Sequence, residues 1–138
     1  MPGILFVLLS IPHLVLDTAN AQGPQSRTKT QDQIIEQRAA SLARLGRTEE
    51  AEPVLRNAIR QRPNNANAYN ALAQVFIKQK KYQKAGDMLL LAVAVNPNFG
   101  TGHANLAMLY AMMNQREKAK AYLGKALQLG VNNLTTTK

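Results

Sequence analysis

From Asp32 onward, apolar residues recur at threes and fours, the spacing of one buried helix face. The first stripe runs through Ile34, Ile35, Arg38, Ala39, Leu42 and Leu45. Gly46 follows it, and glycine readily takes the left-handed conformation that ends a helix. Thr48 then predicts an N-cap, with Glu49 and Glu50 near the positive end of the next helix. Ala51, Leu55, Ala58 and Ile59 make its inner stripe. Pro53 lacks a backbone donor, which predicts a slightly irregular start. Arg62 ends this helix, because a residue before proline avoids the helical region.

The pattern then repeats. Asn65 predicts an N-cap for a helix whose face is Tyr69, Leu72, Ala73 and Phe76, ending near Gln79. A short basic turn leads to a helix over about Tyr82 to Asn96, with Ala85, Leu89, Ala92 and Val93 inside and Pro97 as its stop. A third pair begins near Gly100. His103, Leu106, Ala107 and Tyr110 copy the face of Tyr69, Leu72, Ala73 and Phe76. After the Asn114-Gln115 turn, Ala119, Leu123, Ala126 and Leu127 copy the inner stripe, and Gly130 is the stop. Ala51, Leu55, Ala58 and Pro63 recur at Ala85, Leu89, Ala92 and Pro97, and three of the four recur again at Ala119, Leu123 and Ala126. The offset is 34 residues, the period of a helix-turn-helix repeat. The expected fold is therefore all-α, an α-solenoid of about three helix-turn-helix repeats over 32–65, 66–99 and 100–131. Residues 132–138 form a polar, frayed tail. No single repeat can bury its own face, so stability is expected from the interfaces between neighbours. Glu117, Lys118, Lys120, Lys125 and Gln128 give the last helix a polar outer face, unless another subunit caps it.

The N-terminus breaks this pattern. Residues 4–16 are an apolar run interrupted by Pro12, too short for the roughly 20 residues a membrane-spanning helix needs. Ala19-Asn20-Ala21 has the small-residue pattern of a signal-peptidase site, which predicts cleavage before Gln22. The segment before the run carries no Lys or Arg, so an uncleaved hydrophobic anchor and a mis-assigned start remain alternatives. The expected organisation is 1–21 signal peptide or anchor and 22–31 flexible polar linker, with an exported chain that is periplasmic or secreted. A membrane association follows only if the N-terminal segment stays uncleaved.

Composition changes this picture in two ways. The 138 residues allow one domain, with 46% hydrophobic residues but only 5% aromatics and no Trp. Alanine and leucine must carry a core of closely approaching helices. There is no cysteine, which excludes disulfides, thiolate metal sites and a cysteine nucleophile. The net charge is +9. Its cations cluster at the turns: Arg44 and Arg47; Lys78, Lys80, Lys81 and Lys84; Arg116, Lys118 and Lys120. Equivalent turns of stacked repeats share an edge, so the clusters imply a basic stripe, either solvated surface or a site for an anionic partner.

No chemistry of catalysis is visible. His103 occupies the position of Tyr69, a packing position. No paired carboxylates, glycine-rich phosphate loop or metal-ligand cluster occurs. The chain reads as a non-enzyme with no cofactor and no metal. Asn133-Leu134-Thr135 is a glycosylation acceptor that matters only in a eukaryotic secretory pathway.

The repeat positions resemble the tetratricopeptide repeat family, over about residues 32–131. That pattern wants an aromatic, a Leu-Gly pair, a second aromatic, then Ala, Phe and Pro. The second repeat supplies Tyr69, Leu72-Ala73, Phe76, Ala85, Leu89 and Pro97. The third supplies His103, Leu106-Ala107, Tyr110, Ala119 and Leu123, with Val131 in place of proline. The first supplies Ile35, Arg38-Ala39, Leu42, Ala51, Leu55 and Pro63, and Arg38 makes its first helix the weakest match. The resemblance implies a right-handed superhelix whose first helices line a concave groove for a peptide or partner helix. By position, the groove residues would be Gln33, Glu36, Ala40 and Arg44; Asn67, Asn70, Gln74 and Lys78; and Thr101, Ala104, Met108 and Met112. Asn70 and Gln74 could bond a peptide backbone, Lys78 could meet a carboxylate, and Met108 with Met112 gives an adaptable apolar patch. Some members grip a C-terminal carboxylate with matched Lys, Asn and Arg. Asn70 and Asn105 are not at equivalent positions here, so that clamp is not expected.

The leading expectation is an exported protein-binding scaffold that helps assemble or tether another protein. The alternative is a basic edge that binds nucleic acid or an anionic membrane surface, with nucleic acid the less favoured partner.

Overall fold

The structure is a computed structural model and describes residues 29–130. The chain divides into two units, Met1–Asp32 and Gln33–Lys138, and the described residues fall almost wholly in the second. The expected signal peptide, most of the linker and the expected tail lie outside the described residues.

Six helices make up the described chain, and no strand occurs among the described residues. They are α1 (Lys29–Arg44), α2 (Thr48–Gln61), α3 (Ala66–Lys78), α4 (Tyr82–Val95), α5 (Gly100–Met112) and α6 (Arg116–Gln128). Paired in order, they are three helix-turn-helix repeats, the all-α solenoid that the spacing predicts. α1 starts three residues before the expected Asp32, so 29–31 are helical rather than linker.

The turns explain the period. Within each repeat the chain leaves the first helix through a residue of positive φ: Gly46 (78°), Lys80 (59°) and Asn114 (59°), spaced 34 apart. The following amide reaches back to a carbonyl five residues earlier, Arg47 to Leu42, Lys81 to Phe76 and Gln115 to Tyr110, each at 2.8 Å. This is the Schellman closure, which satisfies carbonyls left open at a helix end. Between repeats a different device operates. Arg62 and Asn96 precede proline, leave the helical region at φ −136° and −138°, and donate to Ala58 and Ala92.

Capping departs from expectation at α2. Its N-cap is Arg47, with no side-chain cap, and Thr48 is already helical. Arg47 instead forms a two-pronged pair with Glu50, Nε to Oε1 and Nη2 to Oε2 at 2.6 Å each. That pair lowers the Glu50 pKa, first through the Arg47 hydrogen bond, with the Arg47 and Arg38 charges adding to it. Asn65 does cap α3, its side-chain oxygen accepting from the Ala68 amide at 3.3 Å. Pro53 sits inside α2 without ending it. It faces solvent, where the carbonyl that loses its donor can bond water.

The core runs continuously through all three repeats. Ala39, Ala43, Ala51, Leu55, Leu72, Ala73, Phe76, Ala85, Leu89, Leu106 and Leu109 belong to one buried cluster. Small residues stand where helices approach. Among the described glycines the tightest place is Gly102, where a Cβ would lie 2.7 Å from the Phe99 ring and 3.0 Å from Val93 Cγ1.

Five expected stripe positions are exposed, Arg38 among them. Ile34 is 59% exposed, and Leu45 is 71% exposed in the turn beyond α1. Leu123 and Leu127 are 41% and 44% exposed, because no described helix follows α6 to cover them. Ile34 is the counterpart of Ala68 and Gly102, which the preceding repeat covers.

Candidate functional site

The first helices α1, α3 and α5 carry the expected groove residues, and the structure sorts them into three sets. Gln33, Glu36 and Ala40 from α1 join Asn67, Asn70 and Gln74 from α3 around one shallow cavity of about 400 Å³. Gln37 and Ala71 complete its wall. Ala104 and Met108 line a separate cavity against α6. Arg44, Lys78, Thr101 and Met112 line none of the cavities described here. Arg44 donates to Ser41 Oγ at 3.3 Å. Lys78, Thr101 and Met112 are exposed.

The shallow cavity is floored by amides. Asn67 and Gln74 are exposed, and Asn70 is half-buried. Asn105 Nδ2 donates to Asn70 Oδ1 at 2.6 Å, tying α5 to α3. This bond orients the Asn70 amide and leaves its NH2 group as the free donor face. Glu36 is engaged too, accepting from Asn65 Nδ2 at 3.3 Å. Short polar side chains fixed in this way can present donors and acceptors to an extended backbone. The cavity's lining residues supply one carboxylate and no cation, so it does not form a clamp for a C-terminal carboxylate.

Sequence reasoning missed three residues of this face. Gln37, Ala71 and Asn105 occupy one repeat position, 34 residues apart, so the signal was present in the spacing itself. Asn105 stands one position away from Asn70 in the repeat, the offset that argues against a carboxylate clamp. That offset is what lets adjacent helices bring the two amides together.

His103 is a packing residue. It is 7% exposed, and its Nε2 lies 2.9 Å from the Pro97 carbonyl, as the Tyr69 hydroxyl lies 2.9 Å from the Pro63 carbonyl. Its ring stacks on Tyr122, at 6.0 Å between centroids. Tyr110 stacks on Tyr122 at 5.5 Å, and burial above all raises the Tyr110 pKa. Among the described residues no group of three or more His, Asp or Glu could hold a metal ion, and no helix is long and apolar enough to cross a membrane.

A third cavity of about 500 Å³ lies among α2, α3 and α4, lined by Pro53, Ile59, Tyr69, Leu72, Met88 and Leu91 among others. Arg56 also lines it, and its guanidinium carbon lies 5.8 Å from the centroid of the Phe76 ring. It is the seam where two repeats meet.

Comparison with known proteins agrees with the repeat geometry. Tetratricopeptide repeat profiles match residues 42–101 and 101–129. The uncharacterised protein ycf37 of Pyropia yezoensis is 30% identical over 73 residues, covering 53% of this chain and 41% of that protein. Among solved structures, the first repeat domain of Spaghetti (RPAP3), bound to an HSP90 peptide, is 20% identical. It superposes with a TM-score of 0.68, covering 77% of this chain and 84% of that one. MamA 41-end from Desulfovibrio magneticus RS-1 is 19% identical with a TM-score of 0.64, covering 75% and 57%. YrrB, described as having an unusual peptide-binding site, is 20% identical with a TM-score of 0.65, covering 74% and 53%. The chain thus spans between two fifths and three fifths of the length of ycf37, MamA and YrrB.

Proposed function

The chain belongs to the tetratricopeptide repeat family, and from that premise we propose that it is a non-catalytic scaffold that holds a protein or peptide segment against its first helices. The observation that carries this reading is the amide-floored cavity between α1 and α3, with Asn70 held in place by Asn105. Amide side chains suit an extended peptide, whose backbone offers one donor and one acceptor per residue. Solved structures of the same fold, two bound to an HSP90 peptide and one with an unusual peptide-binding site, support it. Export supports a role in assembling or tethering an envelope or secreted protein, and rests on the apolar run followed by Ala19-Asn20-Ala21.

The test has two arms. Intact-mass measurement of the protein from its own cells should give Gln22 as the first residue. A chain that retains Met1 removes cleavage and leaves only an uncleaved anchor, and a Met1 chain recovered from the cytoplasmic fraction removes export. The folded protein should capture a partner from the envelope fraction, and Asn67→Arg with Gln74→Arg should lose it. A folded bait that returns no partner, or a partner indifferent to these substitutions, overturns the groove.

A second reading rests on the turn edge, where Lys78, Lys80, Lys81 and Lys84 are all exposed. It places nucleic acid or an anionic membrane surface there. Phosphate contacts release counterions, so such binding must weaken between low and moderate salt. Affinity that stays constant across that range ends this reading.

A further inference from the structure

α6 presents to the open end of the array the positions that α2 and α4 bury. Leu55 and Leu89 are completely buried, whereas their counterpart Leu123 is 41% exposed. In the two inner places the cover is the first helix of the next repeat. α3 brings Tyr69, Leu72 and Val75, and α5 brings His103, Leu106 and Leu109, all buried. The approach is close, with a Cβ on Gly86 lying 3.5 Å from Leu109. Beyond α6 no described residue plays that part. An open cavity of about 520 Å³ remains between α5 and α6, walled by Ala107, Met108, Ala111 and Leu123. Its charged lining residues are Arg116 and Lys120, with no carboxylate among them.

A second copy of this chain fits the face poorly. Face to face, it would set Arg116 and Lys120 against the same cations. Head to tail, it would bring α1, where Arg38 stands exposed at the position of Leu72 and Leu106. The first arrangement places like charges together, and the second sets the Arg38 guanidinium on an apolar surface where an inner repeat has leucine.

We infer that this end face docks an amphipathic helix of a partner protein, with apolar side chains spaced as in α5 and acidic residues beside them. The array supplies the template, since the partner helix enters as the next first helix would. Apolar side chains three residues apart, like His103, Leu106 and Leu109, cover Leu123 and the alanine wall. Carboxylates reach Arg116 and Lys120, which select the sign of the partner. Met108, unbranched and exposed, adapts to the side chain it meets. This surface is distinct from the amide-floored cavity, so either reading can fail without the other.

The test titrates the full chain with two synthetic helical peptides that share one Tyr-Leu-Leu stripe, each three residues apart. One carries Glu at the flanking positions and the other Lys. The Glu peptide should bind at least about tenfold more tightly, and Leu123→Glu should remove about tenfold or more. Lys120→Glu with Arg116→Glu should invert the preference toward the Lys peptide. All three positions are exposed, and unchanged helical circular dichroism checks the fold of each variant. Asn67→Ala with Gln74→Ala, which adds no charge, should leave the Glu-peptide affinity unaltered, and a loss there would move the peptide to the other cavity and overturn the proposal. Failure of the Glu peptide to bind, the outcome if another segment of this chain already covers the face, also overturns it. So do equal binding of both peptides and indifference to Leu123→Glu. Self-association abolished by Leu123→Glu would make a second copy the occupant and sink it equally.

Discussion

His103 Nε2 lies 2.9 Å from the carbonyl oxygen of Pro97, and a carbonyl can only accept, so the ring nitrogen carries the proton. The bond ties the start of α5 to the residue that ends the preceding repeat. Tyr69 makes the same tie to Pro63 through its hydroxyl. The histidine is the poorer solution, because its Nδ1 is then a buried acceptor with no partner. His103→Phe should lose about 0.5–1.5 kcal/mol. His103→Tyr should keep the bond, remove the orphan nitrogen and raise the melting temperature. A shift of about 4–8 °C per kcal/mol makes both effects readable by thermal unfolding. If Phe and Tyr behave alike, the Pro97 bond contributes nothing.

Lys80 occupies the left-handed turn position that Gly46 fills in the first repeat. A non-glycine residue there costs about 1–2 kcal/mol, partly offset in the comparison by the greater freedom glycine loses on folding. Lys80→Gly should therefore stabilise the protein by roughly 0.5–1 kcal/mol. Urea unfolding measures it as a higher midpoint at unchanged slope. Asn114→Gly should do less, since asparagine tolerates this conformation better than lysine.

These two sites show what could be read without a structure. Repeat boundaries followed from residues with few conformational options: Gly46 at a left-handed turn, and Pro63 and Pro97 beyond extended residues. The inner core followed from Leu55 and Leu89, which are each covered by the first helix of the following repeat. Legibility failed where neighbours were lacking. Ile34 and Leu123 carry the apolar period but lie at the ends of the array, so the same side chain that is buried in mid-array stays exposed. Site geometry was legible only as far as helix position. The Asn70–Asn105 bond joins two repeat positions one residue apart, and which adjacent helices bring such residues together depends on their rotation, which the period does not encode.

Two of the helical glycines, Gly102 and Gly124, predict opposite signs. A Cβ at Gly124 would meet nothing within 4 Å, so Gly124→Ala should stabilise α6 by about 0.5–1 kcal/mol. At Gly102 the Cβ would press into Phe99 and Val93. Overpacking of that kind costs about 1–3 kcal/mol, more than the helix propensity returns. Melting temperatures of the two variants should fall on either side of the parent. A stabilised Gly102→Ala would mean that Phe99 swings away freely.

Tyr110 predicts a loss of stability in alkali. Its pKa is raised above the ordinary value of 10.0, first by burial and then by the charges of Tyr122 and Asp87. The folded state thus holds the phenol proton more tightly than the unfolded chain does. This contribution is fully present below about pH 10 and disappears as pH rises through the folded value. Tyr110→Phe removes the titration, so the variant should lose less stability than the parent above pH 10, by urea midpoints measured on both sides of it. Parallel pH curves would show that Tyr110 ionises equally in both states.

The sharpest consequence of repeat stacking is that one substitution should have two costs. Leu89 is completely buried between α4 and α5, and Leu89→Ala should cost about 2–5 kcal/mol through lost transfer energy and a residual cavity. Leu123 is its 34-residue counterpart on α6 but remains 41% exposed. Little cavity can form where solvent already reaches, so Leu123→Ala should cost less than about 1 kcal/mol. Because stability in such arrays is a sum of repeat and interface energies, the difference between the two variants measures the interface that Leu89 has and Leu123 lacks. Equal costs, measured by urea unfolding at one protein concentration, would mean that Leu123 is covered in solution. Equal costs that also vary with protein concentration would identify the cover as a second copy.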